Sequence, residues 1–166
     1  PNGPGVANAT LIAGDSAGGN LTLATLLALK ERERPLPAGA IAISPGTDFT
    51  LSSQSLTSVE DPIISAQTMP EFQRRYLPET DPRNPLASPV FGNFDGLPPL
   101  LIQTGEHEML RDDSIRVAKK ARADGIPVFL EIWPGMVHVF QIRGLPESRE
   151  AIRHIGEFIK RTSKPN

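Results

Sequence analysis

Apolar residues along the chain form short runs that alternate with segments of helical spacing. The short runs predict β-strands over residues 8–14, 38–44, 99–104 and 128–133. Apolar residues spaced by three or four predict helices over residues 17–33, 68–77, 112–124 and 147–160. Strands joined by helical crossovers favour an α/β fold, in which a parallel sheet carries helices on both faces.

The stretch from about residue 50 to residue 94 departs from this alternation. It is rich in Pro, Ser, Thr and Asp, and the prolines of the chain concentrate between Pro35 and Pro99. A long irregular stretch inside a compact domain is usually functional, so we expect it to form one wall of a binding pocket. The apolar candidates for that wall are Phe49, Met69, Phe72 and Tyr76. For each one taken alone, ordinary packing in a core is the commoner role.

Charge and composition exclude several classes of protein. With 17 basic and 19 acidic residues, the net charge of −2 offers no excess positive charge for nucleic acid or an anionic membrane. The longest apolar run, LTLATLLAL at 21–29, is far shorter than the roughly 20 residues that span a bilayer. The chain has no cysteine, which excludes disulfides and thiolate sites and makes a cytoplasmic location the default expectation.

The first residues, PNGPG, contain neither an initiator Met nor the basic and apolar regions of a signal peptide. We therefore expect the sequence to begin partway through a longer protein.

Residues 14–18, GDSAG, fit the pattern G-x-S-x-G and lie between the first predicted strand and the first predicted helix. That context is typical of a nucleophile elbow, in which glycines permit a sharp turn that exposes the serine hydroxyl. On this interpretation Ser16 is a nucleophile, and the amide of Ala17 faces a developing oxyanion at the helix start. The alternative is a Gly-rich turn with an incidental serine, including a phosphate-binding turn.

A serine nucleophile requires a base, and the chain has three histidines. His138 follows the last predicted strand, at the sheet edge where open α/β folds bind ligands, and is the candidate base. His107 is explained as a polar loop residue. His154 is explained as a surface or partly packed residue of the last helix.

The acid that orients such a base should follow the third predicted strand, where the chain offers several carboxylates. Glu108 lies in the loop itself. Asp112 and Asp113 lie where a helix begins, so capping and the helix dipole explain them. The order Ser16, Glu108, His138 is one in which catalytic triads occur.

Four ordered motifs are GDSAGGNL at 14–21, Ser44-Pro45 with Thr47-Asp48, Gly105-Glu106 with LRD at 110–112, and GMVHVF at 135–140. Together they resemble the bacterial esterases related to hormone-sensitive lipase, and the resemblance covers essentially the whole chain. It implies the α/β-hydrolase fold and no metal or cofactor. It also implies that Ser16, Glu108 and His138 form a triad and that the amide of Ala17 belongs to the oxyanion hole.

Two departures from the family pattern affect these expectations. Glu108-Met109-Leu110 replaces the commoner Asp-Pro-Leu, which leaves Asp112 as an alternative acid. The upstream His-Gly-Gly-Gly loop, the N-terminal cap and the first strands are not in the sequence. We therefore expect residues 1–166 to be the C-terminal half of one catalytic domain, with residues 50–94 as a cap-like pocket segment. Because one oxyanion donor contributes about 10²–10³ in turnover, the chain alone should be weakly active or inactive.

The leading hypothesis is a carboxylesterase that hydrolyses short- to medium-chain acyl esters through an acyl-enzyme. Asp15 and Val139 join the four wall residues as candidates for substrate contact. The alternatives are an amidase or thioesterase with the same triad, or a non-catalytic ligand-binding protein on the same fold. The expected partners are a small-molecule ester and the missing N-terminal half of the protein. An exposed sheet edge would also favour association, including a homo-oligomer.

Overall fold

The computed structural model describes residues 7–163. Four strands and five helices are described, namely β1 Leu11–Asp15, α1 Ala17–Glu31, β2 Gly39–Ile43, α2 Ser55–Ser58, α3 Met69–Tyr76, β3 Leu100–Gly105, α4 Arg111–Ala123, β4 Val128–Trp133 and α5 Pro146–Thr162. Short 3₁₀ turns cover Ala7–Ala9, Ala66–Thr68, Pro89–Phe91 and Phe140–Arg143.

The four strands form one parallel sheet in the order β1-β2-β3-β4. Spatial order therefore follows chain order, and each connection returns the chain to the same end of the sheet before the next strand begins. Because the strands are parallel, the residues that directly follow β1, β2, β3 and β4 meet at one edge. This edge brings together parts of the chain that are far apart in sequence.

Helices cover both faces of the sheet, as predicted. On one face, Leu100 and Ile102 of β3 belong to an apolar cluster that includes side chains of α1 and α4. Leu101 lies between them in sequence and packs on the opposite face with Ile41 of β2 and Phe158 of α5. Alternate residues of a strand point to opposite faces, so these continuously apolar strands are buried on both sides. The predicted α/β architecture is confirmed.

The predicted boundaries differ from the structure mainly at the ends of elements. The first strand begins at Leu11 rather than at residue 8, because Ala7–Ala9 form a 3₁₀ turn. Helix α1 ends at Glu31 rather than at residue 33, and Glu33 adopts a positive φ of 51° that ends helical geometry. Residues 1–5, which led to the prediction of a truncated N-terminus, lie outside the described residues.

Candidate active site

Ser16 occupies a sharp turn between β1 and α1. It has φ 52° and ψ −117°, a conformation that costs a non-glycine residue on the order of 1–3 kcal/mol. Its backbone N–H donates to the carbonyl of Ile43 on β2 at 2.8 Å, which ties the turn to the neighbouring strand. A Cβ on Gly14 would lie 2.3 Å from the carbonyl oxygen of Gly18, so this close return of the chain requires glycine. The turn therefore presents the serine hydroxyl at the carboxyl edge of the sheet.

His138 lies between Ser16 and Glu108. Its Nε2 is 3.0 Å from the Oγ of Ser16, and its Nδ1 is 3.2 Å from Oε2 of Glu108. Glu108 is fully buried and His138 is only 5% exposed. Thr104 donates its hydroxyl to the other oxygen of Glu108. Since an ionised carboxylate only accepts hydrogen bonds, this arrangement places the imidazole proton on Nδ1 and leaves Nε2 free to accept the serine proton.

The loop that carries His138 rests on the end of β3. A Cβ on Gly105 would lie 2.4 Å from the carbonyl oxygen of Met136, so only glycine allows the loop to approach this closely. The same carbonyl accepts the backbone N–H of His107 at 2.9 Å. Val139, with a left-handed φ of 50°, donates its N–H to the buried hydroxyl of Ser44 at 3.2 Å. These contacts fix the backbone on both sides of His138.

Asp112 and Asp113 contact a different part of the chain from His138. Asp112 accepts the backbone N–H of Ser55 at 3.0 Å and the Nε of Arg111 at 3.0 Å. The carboxylate of Asp113 accepts the backbone N–H of Thr47 at 2.7 Å. Neither side chain caps α4, whose N-cap residue is Leu110, so the capping part of the prediction was wrong. Both residues do lie in the first turn of α4, where the helix dipole favours negative charge. Of the carboxylates that follow β3, Glu108 is therefore the one that the structure places beside His138.

The other two histidines lie away from Ser16. His107 is exposed, and its Nε2 is 3.7 Å from a carboxylate oxygen of Glu106. His154 is partly exposed on α5, where it lies 2.9 Å from Glu131 and 3.4 Å from Glu150.

An apolar cavity of about 270 Å³ adjoins Ser16 and Ala17. All four wall candidates, Phe49, Met69, Phe72 and Tyr76, line it. Asp15 and Val139 are not among its lining residues. Asp15 ends β1 with an exposed side chain, and Val139 is partly buried in the loop against Ser44.

Sequence reasoning missed several residues that border this cavity. Leu21, Ile64 and Leu110 contribute apolar surface. Asn20 is buried, and its Nδ2 donates to the carbonyls of Gly46 at 2.7 Å and Ala87 at 2.8 Å. Asn20 and Leu21 belong to the GDSAGGNL motif and Leu110 to the LRD motif, so the motifs themselves held the signal.

Because Ala17 is the first residue of α1, its N–H has no partner within the helix. Ala17 also borders the cavity beside Ser16. Such an N–H can stabilise a developing oxyanion.

Among residues 7–163, no group of three or more His, Asp or Glu side chains is arranged to hold a metal ion. Within the same residues, no helix combines the length and apolar character of a membrane-spanning segment.

A family model described as the alpha/beta hydrolase fold matches residues 5–142. The chain belongs to the α/β-hydrolase family. It is 43% identical over 153 residues to an acetyl-hydrolase of Streptomyces hygroscopicus, an alignment that covers 90% of this chain and 51% of that relative. It is 39% identical over 153 residues to an esterase of Acinetobacter venetianus, with 89% of this chain and 50% of the relative covered. This α/β-hydrolase chain thus spans about half the length of the curated relatives it matches.

The chain is also similar to solved structures of esterases and lipases. A hormone-sensitive lipase from a metagenome library has a TM-score of 0.92 and 40% identity, covering 95% of this chain and 55% of its own. An esterase/lipase from an uncultured bacterium has a TM-score of 0.90 and 42% identity, and the match covers 95% of this chain and 54% of that one. The predicted resemblance to bacterial esterases related to hormone-sensitive lipase is confirmed.

Proposed function

We propose that the protein is a carboxylesterase in which Ser16 is the nucleophile, His138 the general base and Glu108 the orienting acid. The observation that carries the proposal is the position of His138, with Nε2 3.0 Å from Ser16 Oγ and Nδ1 3.2 Å from Glu108 Oε2. Both distances lie within or at the edge of hydrogen-bonding reach, which proton transfer requires. The similarity to an acetyl-hydrolase and an esterase supports an ester as substrate.

In the proposed reaction, Ser16 Oγ attacks the ester carbonyl carbon while its proton passes to Nε2 of His138. Glu108 stabilises the imidazolium that forms, and the N–H of Ala17 donates to the oxyanion. When the tetrahedral intermediate collapses, the alcohol leaves with the proton from His138, and an acyl group remains on Ser16. Water then attacks the acyl-enzyme, with His138 again accepting and returning a proton, and the carboxylic acid is released.

The cavity supports short- to medium-chain acyl groups as the substrate class. Its volume of about 270 Å³ lies just below the range of about 300–1,000 Å³ that is typical of pockets for drug-sized ligands. Its lining is almost entirely apolar, so an acyl chain would exchange water for apolar contact there. Ser16 borders the cavity, so an acyl group carried by Ser16 would lie against its apolar lining.

The test is covalent labelling with a small fluorophosphonate, followed by intact mass and peptide mapping. It is run on this chain and on any longer natural chain that contains residues 1–166. We expect one adduct, on Ser16, that is absent from Ser16→Ala and forms at least 10³-fold more slowly in His138→Ala. His154→Ala is the matched control and should react at the parent rate. If neither chain forms an adduct on Ser16, a non-catalytic ligand-binding function replaces the proposal.

A further inference from the structure

Asp113 is a buried carboxylate that takes no part in the proposed reaction. It is 2% exposed and lies in the first turn of α4. One of its oxygens accepts the backbone N–H groups of Thr47 at 2.7 Å and Asp48 at 3.0 Å. The hydroxyl of Ser53 donates to the other oxygen. All three donors belong to residues 47–53, which we call the wall segment, so Asp113 binds this segment at both of its ends.

The wall segment also contacts the backbone and the neighbours of Asp113. The hydroxyl of Thr47 donates to the backbone carbonyl of Asp113 at 3.2 Å. Arg116, one helical turn later on α4, donates to Asp48 at 2.6 Å and to Ser53 at 2.9 Å. Thr47, Asp48 and Ser53 are each no more than 4% exposed. The wall segment is therefore joined to α4 by a buried polar network centred on Asp113.

This network is continuous in sequence with residues that line the cavity. Gly46 and Phe49, the residues on either side of Thr47 and Asp48, both line it. Phe49 donates its N–H to the buried hydroxyl of Ser88 at 2.8 Å, and its ring centroid lies 5.1 Å from that of Tyr76. A shift of Thr47 and Asp48 would therefore move Phe49 relative to Tyr76 and change the shape of the cavity.

A carboxylate in this position is energetically unfavourable for the fold itself. Burial raises the pKa of Asp113 to about 6, which reflects the cost of ionising it there. Asp48 is also buried; although burial alone would raise its pKa, hydrogen bonds from Ser52, Thr50 and Arg116 lower it. A carboxylate nevertheless accepts all three donors of the wall segment and needs no acceptor of its own. Buried carboxylates with perturbed pKa values cluster at functional sites.

We propose that Asp113 is a positioning residue for the acyl pocket: its carboxylate fixes Thr47 and Asp48, and thereby sets where Phe49 closes the cavity. The proposal rests on the proposed function, because Phe49 contacts an acyl group only if Ser16 carries one. Glu108 lies five residues before Asp113. One short stretch of chain thus holds both the carboxylate on His138 and the carboxylate that shapes the pocket.

The test compares the rates at which methyl and octyl fluorophosphonates modify Ser16. Discrimination is the octyl rate divided by the methyl rate. In Asp113→Leu, which is similar in size but accepts no hydrogen bond, we expect discrimination to fall about tenfold while the methyl rate changes at most about threefold. Asp113→Asn should retain most of the discrimination, because its amide oxygen can still accept both backbone N–H groups.

Asp124→Asn is the matched control. Asp124 directly follows α4 and also accepts a loop N–H, that of Phe94 at 2.8 Å, but it does not border the cavity. Its discrimination should equal that of the parent chain. If Asp113→Leu does not fold, Ser53→Ala removes one donor of the same network and should lower discrimination in the same direction.

Two results are decisive. Unchanged discrimination in folded Asp113→Leu, or in Ser53→Ala where the leucine variant does not fold, overturns the positioning role while leaving the esterase proposal intact. If neither probe labels Ser16, in this chain or in a longer natural chain that contains it, the esterase proposal is rejected and this one with it; if only the longer chain is labelled, the same variants are compared there.

Discussion

Replacing Gly105 by alanine tests whether the position of His138 controls the reactivity of Ser16. The new Cβ would lie 2.4 Å from the carbonyl oxygen of Met136, 2.7 Å from its carbonyl carbon and 2.9 Å from the carbonyl oxygen of Val137. Ordinary van der Waals contact begins near 3.4 Å, so the loop must move by about 1 Å. All three atoms are backbone atoms, so rotating a side chain cannot relieve these contacts.

The displacement acts directly on the site because His138 follows Val137. The separation between Nε2 and Ser16 Oγ is 3.0 Å, and an increase of about 1 Å would break this hydrogen bond. A misplacement of about 1 Å can reduce the rate about 10²-fold, and we expect that loss here. Overpacking of this kind costs roughly 1–3 kcal/mol of stability, so the variant should fold.

The assay measures the rate of Ser16 modification by a small fluorophosphonate, together with unfolding in urea. Gly156→Ala is the matched control, because a Cβ at Gly156 on α5 meets nothing within 4 Å. It should react at the parent rate and gain up to about 1 kcal/mol of stability, since alanine favours helix over glycine. If folded Gly105→Ala reacts as fast as the parent, the close contact at Gly105 does not set the position of His138, and the reasoning is wrong.

Three further predictions test other parts of the site. Glu108→Gln should fold but slow Ser16 modification about 10³–10⁴-fold, because an amide can favour the wrong tautomer of His138; Asp112→Asn should slow it far less, and equal effects would contradict the assignment of the acid. Ionisation of Asp113, whose pKa rises from 3.8 to about 6, should remove about 3 kcal/mol of stability between about pH 3 and pH 7, because the native state binds this proton more tightly than the unfolded chain does. Urea unfolding across that range should show that Asp113→Asn lacks this loss. If the difference in unfolding free energy between variant and parent does not change with pH, this prediction is refuted. Met69→Trp should fill part of the cavity and reduce octyl but not methyl fluorophosphonate labelling, and equal loss of both would place Met69 outside the acyl site.

The sheet could be predicted from sequence because its strands are short apolar runs bounded by glycine, proline or charged residues. The predicted range 128–133 coincides with β4, and β2 and β3 lie within a residue of their predicted limits. The first strand was less accurate because residues 8–10 continue the run without a breaker, while Ala7–Ala9 form a turn. Local pattern therefore located the elements, and turn geometry determined where they end.

The site was predictable only as far as topology determines it. Ser16, Glu108 and His138 each follow a strand of a parallel sheet, so their convergence at one edge follows from strand order. The contacts of Asp113 did not follow, because its partners lie 60–66 residues earlier in a loop with no periodic pattern. Its place in the first turn of a helix instead suggested capping and interaction with the helix dipole. The long-range hydrogen bonds to residues 47–53 were therefore not predicted.

The distance along the chain between Ser16 and His138 has a consequence for how this protein folds. Their side chains meet across 122 residues, which include all of β2, β3 and α4. Parallel pairing of such distant segments is intrinsically slow, because the entropy of closing long loops must be overcome before the contacts form. Chemical reactivity at Ser16 should therefore be among the last properties to return during refolding. Pulse labelling of Ser16 during refolding would therefore report when the sheet is complete, because Ser16 follows the first strand and His138 follows the last.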